Sequence, residues 1–234
     1  MKLLTIIIPA YNETRTISKL LTKIFNLNIK KQVIVIDDNS SDDTKDKILK
    51  FKKKIDKIIC HKKNLGKGAA IKSAQKFIKG EYVIIQDADL EYNPKDILVM
   101  LKKIIKNKKI DVLYGSRVLQ KKRYQSKDFL SLDRVFFNHV LTIFSNLINF
   151  QNLTDAHTCY KLVRSKIFKK IDLQEKKFSF CPELTTKLSN MGYYINEIPI
   201  SYKGRSFEEG KKIRYTDGIE AIKTLIKYKF FSRR

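Results

Sequence analysis

No run of apolar residues in this sequence reaches the roughly 20 that a bilayer-spanning helix needs. The longest apolar region, Leu130–Phe150, is broken by Asp133, Arg134, Asn138, His139, Asn146 and Asn149. The opening stretch Met1–Ile8 is too short for a secretory signal and runs directly into "PAYNE". A soluble or peripheral protein is expected. Cysteine is scarce too. Cys60, Cys159 and Cys181 are odd in number, far apart and without CxxC spacing, which argues against a zinc site or a disulfide framework. A reducing cytoplasm is the simplest setting. The three histidines are scattered and form no HExxH. No Gly/Ser/Pro-rich linker and no internal repeat divides the chain. Only nine of the 49 basic residues are arginine, so the position of an arginine is more informative than that of a lysine.

Positive charge is what the sequence has in excess. The net charge is +25. A lysine-covered solvent face accounts for much of it. The functional readings are nucleic acid, an anionic membrane surface or phosphorylated substrates. A non-enzymatic nucleic-acid binder rests on charge alone, because no reading motif is recognisable. Hydrophobic residues make up 43% of the 234, enough to bury a real core.

The first half alternates strands and helices. "LLTIIIP", "QVIVIDD", "DKIIC", "EYVIIQ" and "IDVLYGSR" read as short buried strands. Helical spacing runs over Glu13–Phe25, from Thr44 to about Lys54, after "NLGKG", and through "NPKDILVMLKKIIK". Such alternation implies an α/β fold with a mostly parallel sheet covered on both faces. In the second half, Leu130–Phe150 carries a helical apolar stripe, read as core or a lipid-facing groove. "TDAHTCYKLVR" reads as strand or turn, "FSFCPELTTKLSNMG" as a helix ended by Gly192, and "YYINEIPISYKGR" as a strand. Tyr215–Phe231 reads as a final amphipathic helix.

Polar clusters follow four strands: "PAYNE", "DDNSSDD", "QDADLE" and "GSR". In a parallel sheet these loops meet at one edge, where ligands bind. Asp87 and Asp89 repel each other unless a cation sits between them. Mg²⁺ or Mn²⁺ prefers carboxylates plus substrate phosphates, and Glu91 is a candidate third ligand. Ordinary turn chemistry before Pro94 is the plainer reading. Asp37 and Asp38 lie at a strand tip, where a carboxylate accepts N–H groups of a base. "NLGKGAA" lacks the spacing of a phosphate loop. Its glycines let backbone approach a ligand, and Lys67 would neutralise a phosphate. Arg117 and Arg205 follow strands and suit phosphate oxygens or a surface ion pair.

"IIIPAYNE", "VIDDNSSDDT", "NLGKGAA", "GEYVIIQDADLEYNP", "VLYGSR", "LTDAHTCYKLVR" and "EIPISYKGRSFEEGKKI" occur in this order. Together they resemble the family 2 glycosyltransferases of GT-A fold. Within that superfamily the chain resembles the polyprenol-phosphate sugar transferases, the dolichol-phosphate mannose synthases and their bacterial relatives. The resemblance implies that Pro9, Tyr11 and Glu13 hold the nucleotide base and ribose, with Ile36 and Asp38 beside them. It implies that Asp87, Ala88 and Asp89 carry metal and diphosphate with Glu91, that Arg117 binds at the sugar or phosphate, and that Arg205 and Lys211 meet the phosphates near the reacting centre. The implied reaction moves a hexose, with inversion, from GDP-mannose or a UDP-sugar to a polyprenyl phosphate. Many relatives carry C-terminal membrane helices, and this chain resembles the short, peripheral subtype.

A single GT-A domain is expected. Residues 1–117 would form the nucleotide-sugar half, 118–211 the acceptor side, and 212–234 a basic amphipathic helix. That helix carries Ile219, Ile222, Ile226 and Phe230 beside Lys223, Lys227, Lys229, Arg233 and Arg234. It would either lie on an anionic membrane at the cytoplasmic face or pack on its own domain. A lipid phosphate is already ionised and needs no base. A saccharide hydroxyl would need one, and Glu183 in "FCPELTTK" is the candidate, unless it is only an acid in the first turn of a helix.

Overall fold

The computed structural model describes residues 2–120, 132–205 and 215–231. β1 (Leu4–Ala10) and β2 (Lys31–Asp37) are aliphatic runs with almost no polar alternation. That composition suits strands covered on both faces. They pair in parallel from Leu4↔Lys31 to Ala10↔Asp37. β3 (Lys57–Cys60) continues the sheet beyond β2, and β4 (Tyr82–Ile85) joins the other side of β1, both in parallel. Parallel neighbours need crossovers. Here these contain α1 (Ile17–Phe25), α2 (Thr44–Leu49) and α3 (Lys67–Gln75). α1 buries Ile17, Leu20, Leu21 and Ile24, the stripe its spacing predicts. It begins later than the sequence suggested, because Glu13–Thr16 form a turn closed on the Glu13 carbonyl. α2 ends at Leu49, and single turns follow it to Lys54.

α4 (Asp96–Lys106) leads to β5 (Val112–Ser116), which pairs in parallel with β7 (Ile195–Pro199). Between β4 and β5 lies β6 (Lys161–Arg164), antiparallel to both. The seven-stranded sheet has the order β3-β2-β1-β4-β6-β5-β7. It is the mixed α/β, mostly parallel sheet that the sequence implied, with one reversed strand. The reversal has a functional effect. Ligands bind at the carboxyl edge of parallel strands, and a reversed strand brings its preceding residues to that edge. Lys161 opens β6 opposite Tyr114, well along β5, so residues 151–160 arrive beside the cleft.

The remaining helices are α5 (Leu132–Asn149), α6 (Ser165–Phe168), α7 (Phe180–Asn190) and α8 (Tyr215–Ile226), which continues as a π turn over Lys227–Phe231. α5, α7 and α8 pack on one another. Gly192, at φ +82, ends α7.

Glycine joins the two halves. At Gly68, in the first turn of α3, a Cβ would lie 2.1 Å from the Glu175 carbonyl oxygen. At Gly66 it would lie 2.5 Å from that of Lys176, and the Ala69 N–H donates to the same Lys176 carbonyl at 3.1 Å. The glycines of "NLGKGAA" therefore admit another stretch of this chain, where the sequence reading had given them to a ligand. Gly→Ala inside a helix ordinarily stabilises by about 1 kcal/mol. Gly68→Ala is expected instead to destabilise by about 1–3 kcal/mol through overpacking, read as a lower urea midpoint at unchanged m-value.

Candidate active site

The loops after β1, β2, β4 and β5 converge on one cleft of 410 Å³. Asn138 and Leu141 of α5 line it together with Gly218 and Ala221 of α8. Of the residues singled out in the sequence, Pro9, Tyr11, Glu13, Asp38, Lys67, Asp87, Ala88, Asp89, Glu91, Arg117 and Arg205 all line it. Ile36 does not. It is fully buried within β2, opposite Pro9, and supports the loop from the core. Lys211 lies outside the described residues, as do Arg233 and Arg234.

The turn from Asp87 to Glu91 is tight. The Glu91 N–H donates to Asp89 Oδ1 at 3.0 Å, and Leu90 sits at φ +62, a backbone that leucine seldom adopts. The acids this turn gathers are met by two cations. Lys67 Nζ contacts Asp87 Oδ1 at 2.5 Å. Arg205 reaches Glu13 Oε2 at 3.1 Å and Asp89 Oδ2 at 3.2 Å. Its backbone N–H donates to Glu91 Oε1 at 3.1 Å. Burial, then Asp87 and Glu91, push the Asp89 carboxyl up to about 7, and Arg205 pulls the other way. Burial opposes the charge on Lys67, but Asp87 outweighs it and the ammonium stands well above its usual range.

This crowding tests the site against a divalent ion. Asp87 and Asp89 line the same cleft, and the burial and neighbouring acids that raise the Asp89 pKa are a burden an added cation would relieve. Glu91, expected as a third ligand, is engaged elsewhere: Tyr202 OH donates to its Oε2 at 2.8 Å, and Oε1 takes the Arg205 N–H. Among the described residues no three His, Cys, Asp or Glu side chains gather to hold a metal. The donor set fits a hard cation that takes two carboxylates and completes its shell with phosphate oxygens and water.

Asp38 braces the glycine loop. It accepts the N–H groups of Leu65 at 2.9 Å and Gly66 at 2.7 Å, and His61 Nδ1 lies 2.6 Å from its Oδ1. Arg117 forms a two-pronged pair with Asp155, with Nε–Oδ2 at 2.6 Å and Nη2–Oδ1 at 2.8 Å, beneath the Tyr202 ring. Asp155, His157 and Cys159 lie in the quoted motif "LTDAHTCYKLVR" but were given no site role from the sequence. They precede a reversed strand, so a search of residues after strands passes over them. His157 lines the cleft, and its Nε2 has no hydrogen-bond partner among the described residues. Burial, then Lys161, lower its pKa to about 4.

Glu183 is not a base facing the cleft. It is fully buried at the start of α7, accepts the N–H groups of Gln174 at 2.7 Å and Glu175 at 2.9 Å, and pairs with Lys187 at 2.7 Å. Its role is structural: it holds the segment on which Gly66 and Gly68 pack.

The family model described as "Glycosyl transferase family 2" matches residues 5–172. A dolichyl-phosphate beta-glucosyltransferase of Trichomonas vaginalis is 26% identical over 248 residues, covering 98% of this chain and 74% of that protein. An uncharacterised protein of Methanocaldococcus jannaschii is 25% identical, covering 97% of this chain and 92% of that protein. The crystal structure of glucosyl-3-phosphoglycerate synthase from Mycobacterium tuberculosis, in complex with Mn²⁺, uridine diphosphate and phosphoglyceric acid, shares the fold. Its TM-score is 0.73 at 15% identity, covering 99% of this chain and 80% of that one.

The buried His157 gives a pH signature. Its folded pKa of about 4 lies below the unfolded value of about 6.5. Between these values the unfolded chain binds more protons, so stability falls as pH drops through the window. From pH 7 to pH 5 this contributes a loss of about 2 kcal/mol. His157→Gln is expected to show a correspondingly smaller loss in urea titrations at the two pH values.

Proposed function

Because this chain belongs to glycosyl transferase family 2, and so is a glycosyltransferase, we propose that it moves a hexose from a nucleoside-diphosphate sugar to a polyprenyl phosphate. The observation that carries the reading is the cleft itself. Two carboxylates suited to a cation and two cationic side chains suited to phosphate share a cavity that α5 and α8 flank. The names of the relatives favour glucose as the sugar and UDP as its carrier.

Asp87 and Asp89 would hold Mg²⁺ or Mn²⁺, which supplies charge neutralisation for the departing diphosphate. The remaining work falls to the chain. Pro9 and Tyr11 line the end of the cleft at β1 and would flank the base. Lys67 and Arg205 already lie against the acids, so a phosphate oxygen entering there finds cations within reach and preorganised. Arg117, held by Asp155, would orient the sugar or the acceptor phosphate. Lys211 would add charge on the acceptor side. The acceptor oxygen is ionised near neutral pH, so attack requires positioning rather than proton removal. Displacement from the opposite face inverts the anomeric carbon. The enzyme would act at the cytoplasmic face of a membrane.

The test is a transfer assay. Purified protein with Mn²⁺ or Mg²⁺ and a polyprenyl phosphate is offered UDP-glucose, GDP-mannose and UDP-N-acetylglucosamine. A labelled lipid product from one donor, abolished by excess chelator, is expected. Asp89→Asn is expected to lower turnover by about 10³-fold or more while keeping or raising the melting temperature, since one of several crowded charges is gone. Undiminished transfer by that variant, or in chelator, would overturn the assignment.

A further inference from the structure

α5 is amphipathic the wrong way round. Its buried positions within the described side chains are Val135, Thr142, Ser145 and Asn149, three of them polar. Thr142 Oγ1 donates to the Asn138 carbonyl at 2.8 Å and accepts the Ala156 N–H at 3.4 Å, and Asn149 Nδ2 donates to Ser145 Oγ at 3.3 Å. The opposite face carries Phe136, Val140, Ile143, Leu147 and Phe150, spaced four, three, four and three residues apart, and all are exposed. Leu147 is 69% and Phe150 84% accessible. A helix folding in water for its own sake buries such a stripe. An apolar face of this extent needs a partner.

α8 repeats the pattern beside it. Ala221, Leu225 and Tyr228 are buried against the domain, while Ile219, Ile222, Ile226 and Phe230 are exposed. The helix thus both packs on its own domain and presents a second apolar face. The two helices are in contact: a Cβ on Gly218 would sit 3.8 Å from Leu141 Cδ1, and Lys229 Nζ lies 5.1 Å from the centre of the Phe150 ring. Lysine borders the apolar residues at Lys223, Lys227 and Lys229. The same helices line the cleft from within, through Leu141 and Ala221.

We propose that α5 and α8 form one platform that seats in the interface of an anionic bilayer and sets the cleft against the lipid headgroups. The proposal rests on the reading of a lipid-phosphate acceptor and adds the surface that reaches it. A bilayer is the occupant favoured by charge. Two copies of a chain carrying +25 repel each other, whereas a lysine border around an apolar face suits anionic headgroups. An acceptor phosphate would then enter the cleft past α5 and α8 without its hydrocarbon chain leaving the membrane.

The test is flotation of the full chain with vesicles of phosphatidylcholine alone or with one third phosphatidylglycerol. The wild-type protein is expected to float with the anionic vesicles and to lose about tenfold in partitioning on neutral ones or at high salt. The variant carrying Ile143→Ser, Leu147→Ser and Phe150→Ser on α5 alone is expected to lose about tenfold on anionic vesicles. It should keep the wild-type melting temperature and its transfer to a detergent-solubilised acceptor. A second variant, Ile219→Ser with Ile222→Ser, checks α8. If the α5 variant floats like the wild type, the platform is wrong. If the wild type instead forms a dimer that these substitutions dissolve, a second copy covers the face and the proposal falls. Flotation without sugar transfer would refute the acceptor and leave the platform standing. Transfer in detergent without flotation would do the reverse.

Discussion

At the carboxyl edge of the sheet, Glu13, Asp87, Asp89 and Glu91 are drawn into one cleft and partly balanced by Arg205 and Lys67. The acids come from loops after β1 and β4, Arg205 from the segment after β7, and Lys67 from the start of α3. These contacts tie distant parts of the sequence to one another across the cleft. The arrangement also prepares the chemistry. A cation approaching the carboxylates competes with Arg205 and Lys67, and a diphosphate approaching those cations competes with the carboxylates. The two ligands together satisfy both sets of charges, which neither can do alone.

The parallel half of the fold was legible because β1, β2 and β4 are largely aliphatic runs and α1 and α4 carry apolar stripes. The convergence of "PAYNE", "QDADLE" and "GSR" followed from parallel topology alone. What escaped depended on contacts distant in sequence. β6 is four residues long, and nothing within it says that it runs backwards; that reversal hid Asp155 and His157. The glycines at 66 and 68 have the composition of a ligand loop, and only the approach of residues 175–176 reveals their use. Glu183 had the sequence position of a base, but its two oxygens are taken by backbone N–H groups. Glu91 matched a ligand pattern, and Tyr202 and Arg205 claim it. Ile36 sits one residue before the acids at the tip of β2, with its side chain in the core. Strand alternation settles which way such a residue points only when its register is known.

The apolar stripe of α5 shows the same limit from the other side. Its period was plain in the sequence, but a period does not say which face a helix buries. The fold decides by turning Thr142, Ser145 and Asn149 inward, where the Ala156 N–H meets Thr142 Oγ1. Local rules of folding fail at two places in this protein, the crowded acids after β4 and the outward stripe of α5. Natural sequences break such rules where function requires it. The acids repel unless cations lie among them, and the stripe wastes apolar area unless something apolar covers it. On the proposed reading both defects have the same kind of remedy, a cation for the acids and a bilayer for the stripe. Leu141 and Ala221 bring these helices to the wall of the acids' cavity, so on that reading a single amphiphile would set its anionic head among the cleft charges and leave its hydrocarbon tail on the side of the stripe.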